Sequence, residues 1–202
     1  MATERVDPQL LTALTTEHFV LQTARGGTIG EANGRAALYL GALSSALIAL
    51  GFVAEDPHTF RLFAAVVFPA LLAMGWFTFM RMVATSVENV RYLVHIQRIR
   101  SWYRQLAPDG PWFADGGASG VDEAGDALMT TGIRPGALQM LYTAAAMIAA
   151  LNAIVLGAGI AMVLRGINAP TVVAVTSAAV LGCAAFVGQL VLQRAEFARG
   201  VA

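Results

Sequence analysis

Four apolar stretches, at 36–54, 60–80, 138–164 and 171–192, limit this chain more than any motif in it. A helix needs about 20 mostly apolar residues to cross the hydrocarbon core of a bilayer, and each stretch is near that length. Composition agrees. Hydrophobic residues make up 57% of the 202 residues and charged ones 13%, against about 25% charged in an ordinary soluble domain. The expected fold is an all-α membrane protein with four transmembrane helices. The links EDPHT (55–59) and RGINAP (165–170) are short, and short links make antiparallel neighbours. Two helical hairpins are therefore expected.

Arginine sets the orientation. All 13 basic residues are arginine, and all but Arg61 and Arg165 fall on the side shared by both termini and the middle segment. Basic loops stay in the cytoplasm, so both termini are expected inside a bacterial inner membrane. Tyr39, Trp76 and Tyr142 fall near that inner interface, where amphipathic rings prefer to sit. No basic stretch followed by an apolar core opens the chain, so no cleavable leader is expected and the first span begins near Ala36.

The second span does not end where the lipid should. Between Phe60 and Leu106 the only helix breaker is Pro69, expected as a hinge within the span rather than a stop. Val83, Val87, Val90 and Val94, then Tyr92, Ile96, Ile99, Tyr103 and Leu106, keep helical spacing. A continuous helix of that extent is roughly 70 Å long at ~1.5 Å per residue, well over the hydrocarbon thickness. It predicts a rod projecting into the cytoplasm and ending at Pro108–Gly110. An apolar stripe on a rod needs a cover. One candidate is an amphipathic N-terminal helix, started by Asp7 and Pro8. It carries Leu10, Leu11, Leu14 and Leu21 and is expected to break at Gly26 and Gly27. The other candidate is the same rod from a second copy; packing within one chain is favoured.

The organisation that follows is an N-terminal amphipathic helix over 1–35, a first hairpin over 36–80 and a basic helical extension over 81–106. An acidic Gly/Pro-rich loop over 107–137, a second hairpin over 138–193 and a tail over 194–202 complete it. The basic face Arg91, His95, Arg98, Arg100 and Arg104 reads first as a solvated face anchoring the inner interface. It reads second as a contact with anionic lipid at the inner surface, and third as a dock for the acidic loop.

Inside the spans, small residues recur every fourth position. Gly41 and Ala49 lie on the first such ladder, Ala149, Ala153 and Gly157 on the third span's, and Gly182 on the fourth's. Such ladders let helix backbones approach closely in lipid, so tight packing is expected, within or between copies; a homo-oligomer is the expected assembly. Polar groups in the spans are few. Ser44, Ser45, Asn152, Thr176 and Ser177 are candidates for helix contacts or for lining a pore. Asn152 near mid-span must find a partner, with bonding to a neighbouring helix as the plainer reading.

Chemistry is sparse. His18, His58 and His95 are scattered, HExxH is missing, and Cys183 stands alone, so neither a metal site nor a cofactor is expected. ARGGTIGEANG (24–34) lacks the Lys-Ser/Thr end of a phosphate loop. A net charge of zero argues against nucleic acid as a partner. The chain is expected to be no enzyme but an assembly or signalling module in the lipid bilayer; the alternative is a homo-oligomeric pore gated by the rod.

The run LQTARGGTIGEANGRAALYLGALSSALIALGF (21–52) and QRIRSWY (97–103) together resemble a group of actinobacterial four-span membrane proteins with no established activity. The resemblance covers roughly the first half of the chain. It implies the architecture and transfers no functional residue.

Overall fold

The computed structural model describes residues 7–106 and 141–201. The expected acidic loop over 107–137 and the expected end of the rod at Pro108–Gly110 therefore lie outside the described residues. The four helices are α1 (Pro8–Phe52), α2 (Pro57–Leu106), α3 (Ala144–Gly166) and α4 (Thr171–Val201). All four are long and apolar enough to cross a membrane.

Helix starts follow from capping. Asp7 caps α1, accepting the Gln9 amide at 2.9 Å, with Pro8 at the first helical position where no N–H is needed. Asp56 does the same for α2, accepting the amides of His58 at 3.1 Å and Thr59 at 3.3 Å. The Thr59 hydroxyl, then the His58 amide, hold its carboxyl below the usual aspartate range. Thr143 caps α3 through the Ala146 amide at 3.2 Å, so this helix begins later than the apolar run at 138 implies. In the α3–α4 turn Asn168 takes a left-handed φ of 60°, a conformation that asparagine tolerates better than most side chains.

Two expected boundaries are corrected. Gly26 and Gly27 do not break α1, which is helical from Pro8 to Phe52. Glycine inside a helix costs only about 1 kcal/mol relative to alanine, and side-chain contacts with α2 on both flanks hold the backbone in place. Arg25 Nε donates to Asn89 Oδ1 at 2.6 Å, and Ala32 is buried. Residues 194–201 are not a separate tail but the last turns of α4. Arg91 Nε donates to the Gly200 carbonyl at 2.9 Å, a cation at the negative end of a helix.

Helix α2 is unbroken for 50 residues, through Pro69, and packs against all three others. At ~1.5 Å per residue it is about 75 Å long. Helix α1 lies beside it in the opposite sense. Thr15 and Tyr103 share a hydrogen bond of 3.3 Å, Arg25 meets Asn89, and Arg81 Nη2 reaches Glu31 Oε2 at 3.1 Å. The face of α1 turned toward α2 contains Leu14, His18, Leu21, Thr28, Ala32, Ala36 and Tyr39, all at least half-buried. Leu10 and Leu11, expected on that stripe, are exposed. Thr15 already pairs with Tyr103, three residues from the last residue of α2, so Leu10 and Leu11 lie level with residues past Leu106.

The core sits where the expected spans end, not at their middle. Ala32, Ala36 and Tyr39 of α1, Phe79, Met82 and Val83 of α2, and Ala145, Ile148 and Ala149 of α3 form one buried cluster. Phe186 and Leu192 of α4 pack against it.

Helices α3 and α4 approach through their small residues. A Cβ at Gly157 would stand 3.1 Å from the Ala178 carbonyl oxygen, and one at Gly182 would stand 3.1 Å from that of Ala153. Gly41 differs: a Cβ there meets nothing within 4 Å. Gly182→Leu should therefore destabilise the fold by roughly 1–3 kcal/mol through overpacking. Gly41→Leu should stay within about 0.5 kcal/mol. Unfolding of the two variants in lipid bicelles checks the contrast, and equal losses would contradict it.

Candidate functional site

Within the apolar bundle one polar junction draws on all four helices. Tyr39 of α1 is fully buried, and its hydroxyl donates to Asn152 Oδ1 of α3 at 2.9 Å. Asn152 Nδ2 donates to Gln189 Oε1 of α4 at 3.1 Å. Helix α2 contributes Gly75. A Cβ there would coincide with the Asn152 carboxamide oxygen and stand 2.8 Å from the Tyr39 hydroxyl. Only glycine leaves room for the junction. Buried polar groups need partners, more so in lipid, and these three side chains supply them to one another.

A second set of polar contacts lies one to two turns further along, beside the core. Gln193 Nε2 donates to Thr143 Oγ1 at 3.0 Å, joining α4 to the start of α3. Arg81 bridges α1 and α2, with Nη2 on Glu31 and Nη1 on Glu88 Oε1 at 3.2 Å; Arg35 Nε also reaches Glu31, at 3.0 Å. Hydrogen bonds from Arg35 and Arg81 hold the Glu31 carboxyl below its ordinary value of 4.5.

Further from the spans His18 lies part-buried between α1 and α2. Its Nε2 is 3.4 Å from Gln22, and its Nδ1 is buried without a partner among the described residues. Burial, then the charge of Arg100, lowers its pKa below 6.5. The fold thus disfavours the protonated ring. Above 6.5 neither state binds the proton and His18 is neutral to stability; as pH falls below 6.5 toward the lowered value, the unfolded chain gains the proton first and pairing weakens. Glu31 has the depressed acid's behaviour, contributing above 4.5 and failing as pH falls through its lowered value. Acidification should loosen the α1–α2 pairing in two steps, the first below 6.5 around residues 14–25. Hydrogen exchange against pH in His18→Gln should show only the second step; an unchanged first step would contradict this.

The remaining sequence candidates are dispersed. Ser44, Ser45 and Thr176 are exposed, Ser177 is half-buried, and Thr176 bonds back to the Val172 carbonyl at 2.8 Å. The structure does not gather them around Asn152. Ala149 and Ala153 are buried and Ala49 is half-buried, while Pro69 is exposed on α2. Of the basic face, Arg91 is tied to Gly200, His95 and Arg98 are exposed, and Arg100 and Arg104 are half-buried. Tyr39, expected as an interfacial ring, belongs to the junction because its hydroxyl finds Asn152 there. Gly75 carried no sequence signal beyond being a lone small residue beside Trp76, Phe77 and Phe79.

The junction is made of neutral amides and a phenol, which link α1, α3 and α4 through hydrogen bonds. Among the described residues no three His, Cys, Asp or Glu side chains come together. No protein family, curated protein or solved structure matches the chain.

Proposed function

We propose that the chain is a non-enzymatic, multi-pass protein of the bacterial cell membrane, with both termini in the cytoplasm. In this reading its spans form two antiparallel hairpins. It works as an assembly or signalling module through the helical pair that continues past the inner face, and its partner is a second copy. Arginine bias supports the orientation.

One observation carries the reading. Past the core, α1 and α2 remain paired as far as Thr15 and Tyr103, and α1 leaves Leu10, Leu11, Phe19 and Val20 uncovered within the described residues. In this reading these exposed apolar side chains, on a segment outside the lipid, supply the contact. Single-molecule photobleaching of the full chain in vesicles tests it. Wild type should count as more than one copy, and Leu11→Ser with Phe19→Ser should shift it to monomer. A monomeric wild type, or an unchanged count in the variant, would oppose the reading. Solute flux through the same vesicles would point instead to the pore.

A further inference from the structure

The bundle is closed at the polar junction and opens away from the core. A cleft of about 500 Å³ runs between α2 and α3. Its walls include Ala65, Phe68 and Pro69 on one side and Leu156, Gly159 and Val163 on the other, and every lining side chain is apolar. Small residues make the space: Gly159 faces Phe68, whose ring would be 3.4 Å from an added Cβ. The volume falls in the range of about 300–1,000 Å³ typical of ligand pockets. Apolar cavities far smaller than this, about 150 Å³, stay dry and take up hydrocarbon. Water is therefore the wrong occupant, and in a membrane-spanning segment the hydrocarbon at hand is a lipid acyl chain.

Charge at the rim narrows the class of lipid. Arg61 and Arg165 are the two basic residues at this end of the helices. Gly75 faces Asn152 and Phe68 faces Gly159, a register in which seven residues down one helix match seven up the other. One more such step sets Arg61 level with Gly166, beside Arg165 and about a turn beyond the cleft. Arg61 Nε donates to the Pro57 carbonyl at 3.0 Å, and Arg165 Nη1 to the Ala169 carbonyl at 2.9 Å. Each bond goes to a backbone carbonyl four residues away and leaves the guanidinium charge uncancelled, and among the described residues neither pairs with a carboxylate.

We propose that the cleft holds one acyl chain of an anionic phospholipid, with its phosphate between Arg61 and Arg165. This goes beyond the assembly reading and requires only that α2 and α3 lie in a bilayer.

Native mass spectrometry of the full-length, delipidated protein tests the site by titration with phosphatidylglycerol and phosphatidylcholine of identical chains. The first lipid bound should be phosphatidylglycerol, preferred by roughly fivefold per arginine. Ala65→Trp, which fills the cleft, should weaken that first binding by about tenfold. Arg61→Gln with Arg165→Gln should keep binding but erase the preference. A second measurement needs no variant: phosphatidylglycerol with a diazirine in its acyl chain should label 64–72 and 156–164 above all other lipid-facing positions. Equal binding of both lipids by wild type, unchanged binding in Ala65→Trp, or labels spread evenly over the four helices would overturn the proposal.

Discussion

Gly75→Ala should destabilise the bundle by roughly 1–5 kcal/mol. Two terms add. The new methyl cannot coexist with the Asn152 carboxamide oxygen, and overpacking of this kind costs about 1–3 kcal/mol. Relief requires Asn152 to move away from Tyr39, leaving buried polar atoms without partners at about 1–3 kcal/mol more. The backbone preference runs the other way, since alanine favours a helix over glycine by about 1 kcal/mol, and it is too small to win. Reversible denaturation in bicelles measures the sum. A variant as stable as wild type would mean that α2 is not seated on the junction.

Asn152→Leu should cost about 1–3 kcal/mol, with Tyr39→Phe rescuing part of it. Leucine fills similar space but strands the Tyr39 hydroxyl and the Gln189 carboxamide, both buried. Interhelical hydrogen bonds in membranes average only about 0.6 kcal/mol, because the unfolded helix finds other partners in lipid. The larger figure applies here because Tyr39 is completely enclosed and has nowhere else to turn. Removing both partners is milder than removing one. The double-mutant cycle should therefore return a coupling of about 1 kcal/mol. Strict additivity of the two losses would show that the bond contributes nothing.

The long-range logic of the helices was legible from the apolar pattern, while the neighbours of each residue were not. The unbroken run from Phe60 to Leu106 announced a helix longer than a bilayer, because nothing between them stops one except a tolerated proline. Gly26 and Gly27 misled for an energetic reason: two glycines weaken a helix, but Arg25–Asn89 and the buried Ala32 hold it together. The small-residue ladders did not say what each face meets. Gly157 and Gly182 face backbone; Gly41 meets no other helix among the described residues. Asn152 was legible as a polar group in need of a partner. Its partner Tyr39, 113 residues away, was read as an interfacial ring, since a tyrosine near a span end has two physical uses and sequence separates them only through tertiary contact. Gly75 was invisible because its role is a space, and a space has no residue type of its own.

The account depends most on α1 and α2 leaving the bilayer together on the cytoplasmic side. Cysteines at Thr15 and Tyr103, introduced with Cys183→Ser into the full chain, test this in oriented membranes with a short bifunctional maleimide. The account predicts an intrachain crosslink, formed only when the reagent reaches the cytoplasmic face. A crosslink formed by reagent confined to the opposite face, or two cysteines that label freely and never join, would contradict it.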